Sequence, residues 1–226
     1  MDYTYEQIAK MIDHSLLNPV VTDEQLEEGC RVALKYNVAS VCLKPYYLRR
    51  CAEILRGSTV KPSTTIGFPH GGHTTAIKVA EAKQALEDGG AELDMVVNIG
   101  KVLSGDWKFV REDIQAVVEI THARGAILKV IFENCYLQDA QKIKLCEICG
   151  EVSADFVKTS TGYGSSGATI ADLKLMRRHS PAAVKVKAAG GIRTLDALLE
   201  ARAVGVSRCG ATRTVEILDE CKKRLG

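Results

Sequence analysis

The 226-residue sequence predicts an α/β protein, a single (β/α)8 barrel of the TIM type with a short extra helix at its N-terminus. Three observations lead to this fold. Short runs of β-branched and apolar residues alternate with segments of helical periodicity, which is typical of parallel strands joined by helical crossovers. Eight such units fit the chain at about 28 residues each, the size of a βα repeat. No composition shift or Pro/Gly linker marks a second domain, so we expect one barrel over residues 1–226.

The predicted strands are short segments in which Val, Ile and other buried-strand residues cluster. In chain order they are residues 11–14, 38–43, 63–67, 92–98, 127–132, 156–159, 184–188 and 206–209. Eight strands favour closure into a barrel, because an open doubly wound sheet usually has fewer. A helical segment at about residues 5–10 precedes the first strand, and we expect it to cover one end of the barrel.

Capping signals mark the beginnings of several intervening helices. Thr22 and Gln25 have the spacing of a capping box and precede an apolar stripe of helical period. The other predicted helix starts are Asp106, Thr169 with Asp172, and Thr194. Each is followed by apolar residues at helical spacing, so each strand is expected to lead into an amphipathic helix.

Composition excludes several classes of protein. Apolar residues make up 46 % of the chain, which is enough for a sizeable core, and 30 basic against 28 acidic side chains leave a net charge of only +2. This near-balance gives no overall signal for nucleic acid or a membrane surface as a partner. The acidic opening residues do not resemble a signal peptide, and no apolar run approaches the roughly 20 residues that span a bilayer. We expect a soluble, cytoplasmic protein.

Eight cysteines occur in this chain. In a cytoplasmic protein they are expected to be reduced, and most to be buried. Cys146 and Cys149 have the spacing of redox and zinc motifs, but no second pair follows at zinc-site spacing. Cys149 fits an apolar helical stripe with Leu145, Ile148 and Val152, which favours core cysteines.

Lysines occur in predicted strands, where a buried parallel strand should avoid charge. Lys158 lies near the end of the sixth predicted strand. In the seventh, Lys185 and Lys187 share one face and Val184 and Val186 the other. The valines suit packing against outer helices, so we expect the lysines to face the barrel interior, near the strand ends where active sites of such barrels lie.

Further charges point to the same place. Lys129 lies in the fifth predicted strand, and Glu92 and Asp94 lie on one face of the fourth. The pattern predicts at least two lysines and a carboxylate converging in a region of low dielectric constant. It is also compatible with a purely structural ion pair, or with lysines that reach solvent.

Imine chemistry would explain such a group of side chains. A lysine must be uncharged to attack a carbonyl, yet its usual pKa is near 10.4. Burial and a neighbouring ammonium both lower that pKa. A decrease of about 3 units requires roughly 4 kcal/mol. The resulting iminium withdraws electrons from the adjacent carbon, so carbon–carbon bond chemistry then needs no metal.

Two glycine-containing turns indicate a phosphate site. Residues 190–194 follow the seventh predicted strand, and residues 207–213 begin within the eighth and run past its end; both precede helices. Backbone N–H groups at such positions bind anions, and barrels often hold phosphate after strands seven and eight. Tight turns that need glycine for backbone reasons alone are the alternative.

Two further hypotheses stay open. His70 and His73 could hold a metal in the loop after the third predicted strand, although no carboxylate follows at metal-site spacing. A barrel that binds a sugar phosphate without chemistry is the alternative of a different class. Binding alone gives no reason to bury two like charges, which favours an enzyme.

The sequence resembles the deoxyribose-phosphate aldolase family. The matching stretches run over nearly the whole chain and are KTSTG at 158–162, VKAAGGIRT at 186–194, IDHSLL at 12–17, VCLKP at 41–45, IGFPHG at 66–71, ELDMV at 92–96 and KVIFE at 129–133. The resemblance implies a cofactor-free barrel enzyme, without a metal, that interconverts 2-deoxy-D-ribose 5-phosphate with D-glyceraldehyde 3-phosphate and acetaldehyde. It also implies a homodimer or homotetramer, with a small phosphorylated sugar and aldehydes as its only partners.

The resemblance assigns roles to particular residues. The imine-forming lysine falls on Lys158, the second lysine that lowers its pKa on Lys187, and the proton-relay aspartate on Asp94. The side chains expected to line the substrate site are Asp13, Cys42, Lys129 and Thr159. The phosphate contacts are expected at Gly162, Gly190, Gly191, Arg193, Gly210 and Thr212.

Two departures from the family pattern are visible. Where the phosphate turn after the last strand commonly has two serines, this chain has Thr212 and Arg213. Thr212 keeps a hydroxyl, and Arg213 offers a charge-assisted contact to phosphate. A related imine-forming aldolase with a shifted aldehyde or sugar-phosphate preference is therefore the alternative function. Some members carry a C-terminal tyrosine that assists proton transfer; the sequence given ends at Gly226, so we expect that contribution to be absent.

Overall fold

The computed structural model describes residues 2–226 and contains a closed barrel of eight parallel strands in sequence order. The strands are β1 (Ile12–Leu16), β2 (Ser40–Leu43), β3 (Lys61–Ile66), β4 (Glu92–Val96), β5 (Ile127–Ile131), β6 (Phe156–Lys158), β7 (Lys185–Ala189) and β8 (Arg208–Ala211). β8 pairs with β1, which closes the sheet. The predicted (β/α)8 barrel is confirmed.

Helices alternate with the strands and form the outer layer. They are α1 (Tyr5–Ala9), α2 (Asp23–Tyr36), α3 (Leu48–Ile54), α4 (Thr75–Glu87), α5 (Ile99–Leu103), α6 (Trp107–His122), α7 (Asp139–Glu151), α8 (Ile170–His179), α9 (Leu195–Ala203) and α10 (Thr214–Leu225). α1 is the predicted extra helix, and it packs beside α10. No helix within residues 2–226 is long and apolar enough to cross a membrane.

The predicted helix starts are confirmed by their hydrogen bonds. Thr22 and Gln25 form a reciprocal capping box at the beginning of α2. The side chains of Asp106, Thr169 and Thr194 each accept a backbone N–H from the first turn of the helix that follows. These bonds satisfy N–H groups that the helix itself leaves free, so the sequence fixes where each helix begins.

All eight strands differ from their predicted limits by one or two residues at one or both ends, and two of these differences concern the site. The fourth ends at Val96, because Asn98 caps the short helix α5, which the sequence analysis did not predict. The eighth extends to Ala211, because Asp13 pairs with Gly210 and His14 with Ala211. Glycine has a weak strand propensity, which explains why Gly210 was assigned to a turn.

Side chains of the barrel wall that point outward pack against the helices in one apolar core. Val184 and Val186 are buried there, as predicted. Cys146 and Cys149 are buried in α7, which confirms their interpretation as core residues. The barrel interior is different, because it is filled largely by charged side chains.

His14 links β1 to the beginning of α10 and so helps to join the two ends of the chain. Its Nδ1 lies 2.7 Å from Oγ1 of Thr214, and both side chains are buried. Burial lowers the pKa of His14 to about 4, because the charged imidazolium would lose its water.

The pKa of His14 predicts a pH-dependent stability. Between about pH 6.5 and pH 4 the unfolded chain binds a proton at this ring and the folded chain does not. The free energy of unfolding should therefore fall as the pH decreases through this window, by up to about 3 kcal/mol, and this contribution should level off below it. Urea titrations of the wild type and His14→Gln at several pH values measure the effect. Equal pH slopes in the two proteins would contradict it.

Candidate active site

A cavity of about 200 Å³ opens at the carboxyl ends of the strands. We call it the inner cavity. The predicted site residues that line it are Asp13, Cys42, Lys158, Gly162, Lys187, Gly190, Gly191, Arg193, Gly210 and Thr212; Ser15, Leu17, Thr161, Ala189 and Ile192 complete the lining. Residues from five strands, β1, β2, β6, β7 and β8, or from the loops that follow them thus meet at one end of the barrel, where active sites of this fold lie.

Lys158 and Lys187 meet because their strands are neighbours. Lys158 is in register with Lys187 across β6 and β7, so both side chains point inward. Their Nζ atoms lie 2.7 Å and 2.8 Å from the same atom, Oδ2 of Asp94 on β4. Only 3 % of Lys158 and 1 % of Lys187 is exposed. The two amines therefore converge in a site from which bulk water is excluded.

Beneath this pair lie further charges. Nζ of Lys129 lies 2.6 Å from Glu92 and 2.8 Å from Oδ1 of Asp94. The guanidinium of Arg208 donates to both oxygens of Glu92 and to Oδ1 of Asp13, whose Oδ2 contacts Lys187. We call the whole set the buried ion cluster: Asp13, Glu92, Asp94, Lys129, Lys158, Lys187 and Arg208.

The surroundings of Lys158 favour its uncharged form. Burial lowers its pKa below the usual value; Asp94 opposes that decrease, and the neighbouring ammonium of Lys187 adds to it. Lys158 has one carboxylate oxygen within ion-pair distance, and that oxygen is shared with Lys187. Its Coulombic stabilisation is therefore too small to offset the loss of water.

The other two lysines stay charged for the opposite reason. Burial disfavours the ammonium of Lys187, but the carboxylates of Asp13 and Asp94 together raise its pKa above the usual value. The pKa of Lys129 is raised well above normal, because Asp94, Glu92 and Asp13 outweigh its burial. The pKa of Asp94 is held well below its usual range, since Lys129, Lys158 and Lys187 outweigh the effect of burial.

Cys42 lies on β2 and lines the inner cavity, as the family resemblance implied. Burial raises the pKa of its thiol, and Asp94 adds to the increase. The side chain is therefore an uncharged thiol at neutral pH.

For three residues the predicted position requires correction, because none of them lines the inner cavity. Lys129 is fully buried below the inner cavity and does not line it. Oγ1 of Thr159 is hydrogen-bonded to the backbone N and O of Ala189, so it joins β6 to β7 instead of facing substrate. Lys185 shares the face of Lys187, but lies two residues nearer the amino end of β7 and is exposed. Alternation identifies the face of a strand, not the depth along the barrel.

The predicted phosphate residues surround the mouth of the inner cavity. Gly162 and Gly190 have φ values of 92° and 78°, in the region that favours glycine. A Cβ on Gly190 would also lie 2.8 Å from Cα of Gly167, so this backbone approach requires glycine. Arg193 and Thr212 are exposed beside these turns. Arg213 does not line the cavity, because its guanidinium pairs with Glu216 at 2.7 Å.

An outer cavity of about 560 Å³ adjoins the inner one and shares Ser15, Leu17, Thr161, Gly162, Arg193 and Thr212 with it. Tyr163 lies in its wall. The phenol donates to the carbonyl of Leu17 at 2.8 Å, and the ring meets Phe68 edge-on with centroids 5.6 Å apart. Tyr163 thus joins the loops that follow β1, β3 and β6 across the mouth.

Several residues of the site were missed by the sequence analysis. Glu133 is buried and accepts hydrogen bonds from N and Oγ1 of Thr161, which fixes the turn before Gly162. Arg208 fell at the overlap of the last predicted strand and the turn after it and was given no role, whereas it belongs to the buried ion cluster. Its in-register pairing with Lys187 is a long-range feature that the sequence does not display.

His70 and His73 are exposed and do not line the inner cavity. Within residues 2–226 no group of three or more His, Cys, Asp or Glu side chains has a geometry that could hold a metal ion. The described residues therefore offer no geometry that favours the metal hypothesis.

The fold and the inner cavity define this protein as a (β/α)8-barrel enzyme. Residues 7–212 of its sequence match the sequence model of the DeoC/LacD family of aldolases. It is 63 % identical over 225 residues to deoxyribose-phosphate aldolase of Rhodopirellula baltica, covering 100 % of this chain and 93 % of that protein. The chain belongs to the DeoC/LacD family of aldolases and is a lyase.

Two more distant relatives agree. Deoxyribose-phosphate aldolase of Thermococcus gammatolerans is 46 % identical over 214 residues, with 94 % of this chain and 95 % of that protein covered. The tetrameric structure of deoxyribose phosphate aldolase from Aeropyrum pernix superimposes with a TM-score of 0.90 at 30 % identity. That match covers 98 % of this chain and 93 % of the other.

Because the carboxylate of Asp94 contacts Lys129, Lys158 and Lys187, we expect Asp94→Asn to lower the stability of the fold strongly. The change leaves buried ammonium groups without their common carboxylate, and the free energy of unfolding should fall by about 3–5 kcal/mol at neutral pH. The loss should shrink as the pH rises, because the lysines can then release protons. Urea denaturation between pH 7 and pH 10 measures it, with the exposed Glu28→Gln as control. A loss no larger than that of the control would refute the argument.

Proposed function

We propose that this protein reversibly cleaves 2-deoxy-D-ribose 5-phosphate to D-glyceraldehyde 3-phosphate and acetaldehyde through an imine on Lys158. One observation carries the proposal: two buried lysines share one carboxylate oxygen at the base of a cavity with glycine turns at its mouth. Membership of the aldolase family supports the reaction type. We also propose that the whole chain is one barrel domain.

The first step is attack of uncharged Nζ of Lys158 on C1 of the open-chain sugar. The carbonyl oxygen takes up two protons in succession and leaves as water, which gives a protonated imine. Lys187 lies on the same carboxylate oxygen and stays charged, so it is placed to donate a proton to the departing oxygen. Burial of Lys158 and the charge of Lys187 beside it favour the unprotonated amine of Lys158 between turnovers.

The second step breaks the C2–C3 bond. The C3 hydroxyl releases its proton as the bond electrons move into the iminium, which gives an enamine on Lys158 and free glyceraldehyde 3-phosphate. We propose Asp94 as the group that passes this proton on. Because the pKa of Asp94 is held low, its carboxylate would not keep the proton but would pass it on to a neighbouring amine. Protonation of C2 and hydrolysis of the imine then release acetaldehyde.

The phosphate would lie at the mouth of the inner cavity. Backbone N–H groups of Gly190 and Gly191 precede α9 and can bind an anion. Arg193 supplies a charge, and Thr212 supplies a hydroxyl. Gly162 and Gly210 leave room for close approach. With its phosphate held at the mouth, the sugar would extend into the inner cavity with C1 toward Nζ of Lys158.

A homodimer or homotetramer and a cytoplasmic location remain our proposals. A tetramer is described for the Aeropyrum pernix relative. Size-exclusion chromatography with light scattering tests the oligomeric state, and a monomer at micromolar concentration would contradict the proposal.

Lys158→Leu should abolish turnover and trapping, because no amine then reaches the sugar carbonyl. Borohydride added with acetaldehyde should give the wild type a mass increase of one reduced adduct, mapped to Lys158 by peptide mass spectrometry. Lys185→Leu is the matched control, since Lys185 is an exposed lysine on the same face of β7. Turnover that persists in Lys158→Leu would exclude this nucleophile.

Lys187→Leu should raise the pKa of Lys158, because one of the causes of its decrease is removed. Since only the uncharged amine reacts, kcat/KM falls as the pH decreases through the Lys158 pKa, and this acid limb should move to higher pH. Several orders of magnitude of rate should be lost at neutral pH, from the pKa change and from loss of the proton donor. A pH–rate profile with an unmoved acid limb would contradict this role.

A further inference from the structure

The buried ion cluster holds four basic and three acidic side chains. The bases are Lys129, Lys158, Lys187 and Arg208, and the acids are Asp13, Glu92 and Asp94. All but Arg208 are less than a tenth exposed, and 18 % of the Arg208 side chain is exposed. In a region of low dielectric constant a net charge is strongly disfavoured. Seven ionised groups would leave one positive charge unmatched, so one of the four bases is in surplus.

The contacts decide which base is in surplus. Arg208 cannot lose its proton, because a guanidinium has a pKa above 12. Nζ of Lys129 lies within 4 Å of three carboxylates, and Nζ of Lys187 contacts two. Lys158 reaches one, Asp94, through the oxygen that Lys187 also uses. Lys158 therefore has the smallest share of negative charge and is the base that gives up its proton.

We propose that Arg208 is a positioning residue whose permanent charge keeps Lys158 unprotonated. Arg208 occupies both oxygens of Glu92 and Oδ1 of Asp13, and so takes negative charge that the lysines would otherwise share. It does not line the inner cavity; it borders a separate cavity of about 340 Å³ formed with Lys185, Phe156 and other residues. The inference rests on the proposed function and extends it to a residue remote from the reacting atoms.

No other titratable group in the barrel wall replaces Arg208 in this role. The titratable groups on the inner face of the barrel besides Lys158 are Asp13 on β1, Cys42 on β2, Glu92 and Asp94 on β4, Lys129 on β5, Lys185 and Lys187 on β7 and Arg208 on β8. Lys185 is exposed and lies outside the buried ion cluster. β3 contributes Ser63 and Thr65, which are in register with Glu92 and Asp94 and do not titrate. Cys42 is an uncharged thiol, because burial raises its pKa. The net charge of the buried ion cluster therefore depends on its three carboxylates, its three lysines and Arg208.

Removing the charge tests the proposal directly. Arg208→Met leaves three lysines for three carboxylates, so Lys158 should keep its proton at neutral pH. The acid limb of the kcat/KM profile should move up by at least about one pH unit, with roughly tenfold or more of the rate lost at pH 7 and regained at alkaline pH. Arg208→Lys keeps the charge and should leave the acid limb near its wild-type position.

A second substitution should restore the surplus. Arg208→Met combined with Glu92→Gln leaves three lysines and two carboxylates, so the acid limb should return toward lower pH. A merely structural role of Arg208 predicts the opposite, since a second change in the same cluster should add damage. Glu92→Gln alone should move the acid limb of the kcat/KM profile to lower pH than in the wild type. If Arg208→Met does not fold, this variant still tests the balance of bases and acids in the buried ion cluster. Circular dichroism establishes folding in each case.

Borohydride trapping separates failure of the inference from failure of the proposed function. In Arg208→Met the yield of the Lys158 adduct should rise with pH along the displaced limb. A wild type that never forms an adduct at Lys158 would overturn the proposed function itself. An adduct at Lys158 together with an acid limb that Arg208→Met leaves unmoved, or that Glu92→Gln does not restore, would overturn the role of Arg208 alone.

Discussion

The site depends on one oxygen atom, Oδ2 of Asp94, which receives the amino groups of both Lys158 and Lys187. In water two ammonium groups would separate, because each is better solvated alone. Inside the barrel the shared carboxylate draws them together and burial amplifies their mutual repulsion. The repulsion is relieved by the release of one proton. Lys187 keeps its own because Asp13 also supports it. The same contact therefore brings the two amines together and makes them chemically unequal.

A closed barrel is what makes this contact possible. Asp94 lies on β4, and the lysines lie on β6 and β7, so at least two strand steps separate acid from base along the sheet. In an open sheet such side chains would stand side by side on one surface. Closure turns that surface inward, and groups on distant strands then meet across the interior. Helices cover the outside of every strand, which removes water from behind the site and leaves the carboxyl end as the approach to Lys158.

Sequence patterns were informative wherever the physical cause is local. Period-two alternation placed Lys187 inside, and capping side chains such as Thr22 marked helix beginnings, because both depend on neighbours a few residues away. Depth along the barrel and contacts across it are not local. Lys185 and Lys187 are equivalent by alternation, yet one is exposed and the other buried. The role of Arg208 was missed because its pairing with Glu92 depends on strands far apart in sequence.

The buried ion cluster is hard to explain as a device for stability. Replacing buried ion pairs by well-packed apolar side chains of similar volume is often neutral or stabilising, since desolvation offsets much of the Coulombic attraction. A barrel of this size fills its interior with branched apolar residues in many proteins. Here the wall carries four bases against three acids, an arrangement whose unequal count destabilises one charge in particular. That charge belongs to Lys158, the base at the floor of the cavity that substrate must enter. The excess of one base over the acids thus has a chemical role. It lowers the stability of the fold, and in return it keeps the amine of Lys158 in its reactive, unprotonated form.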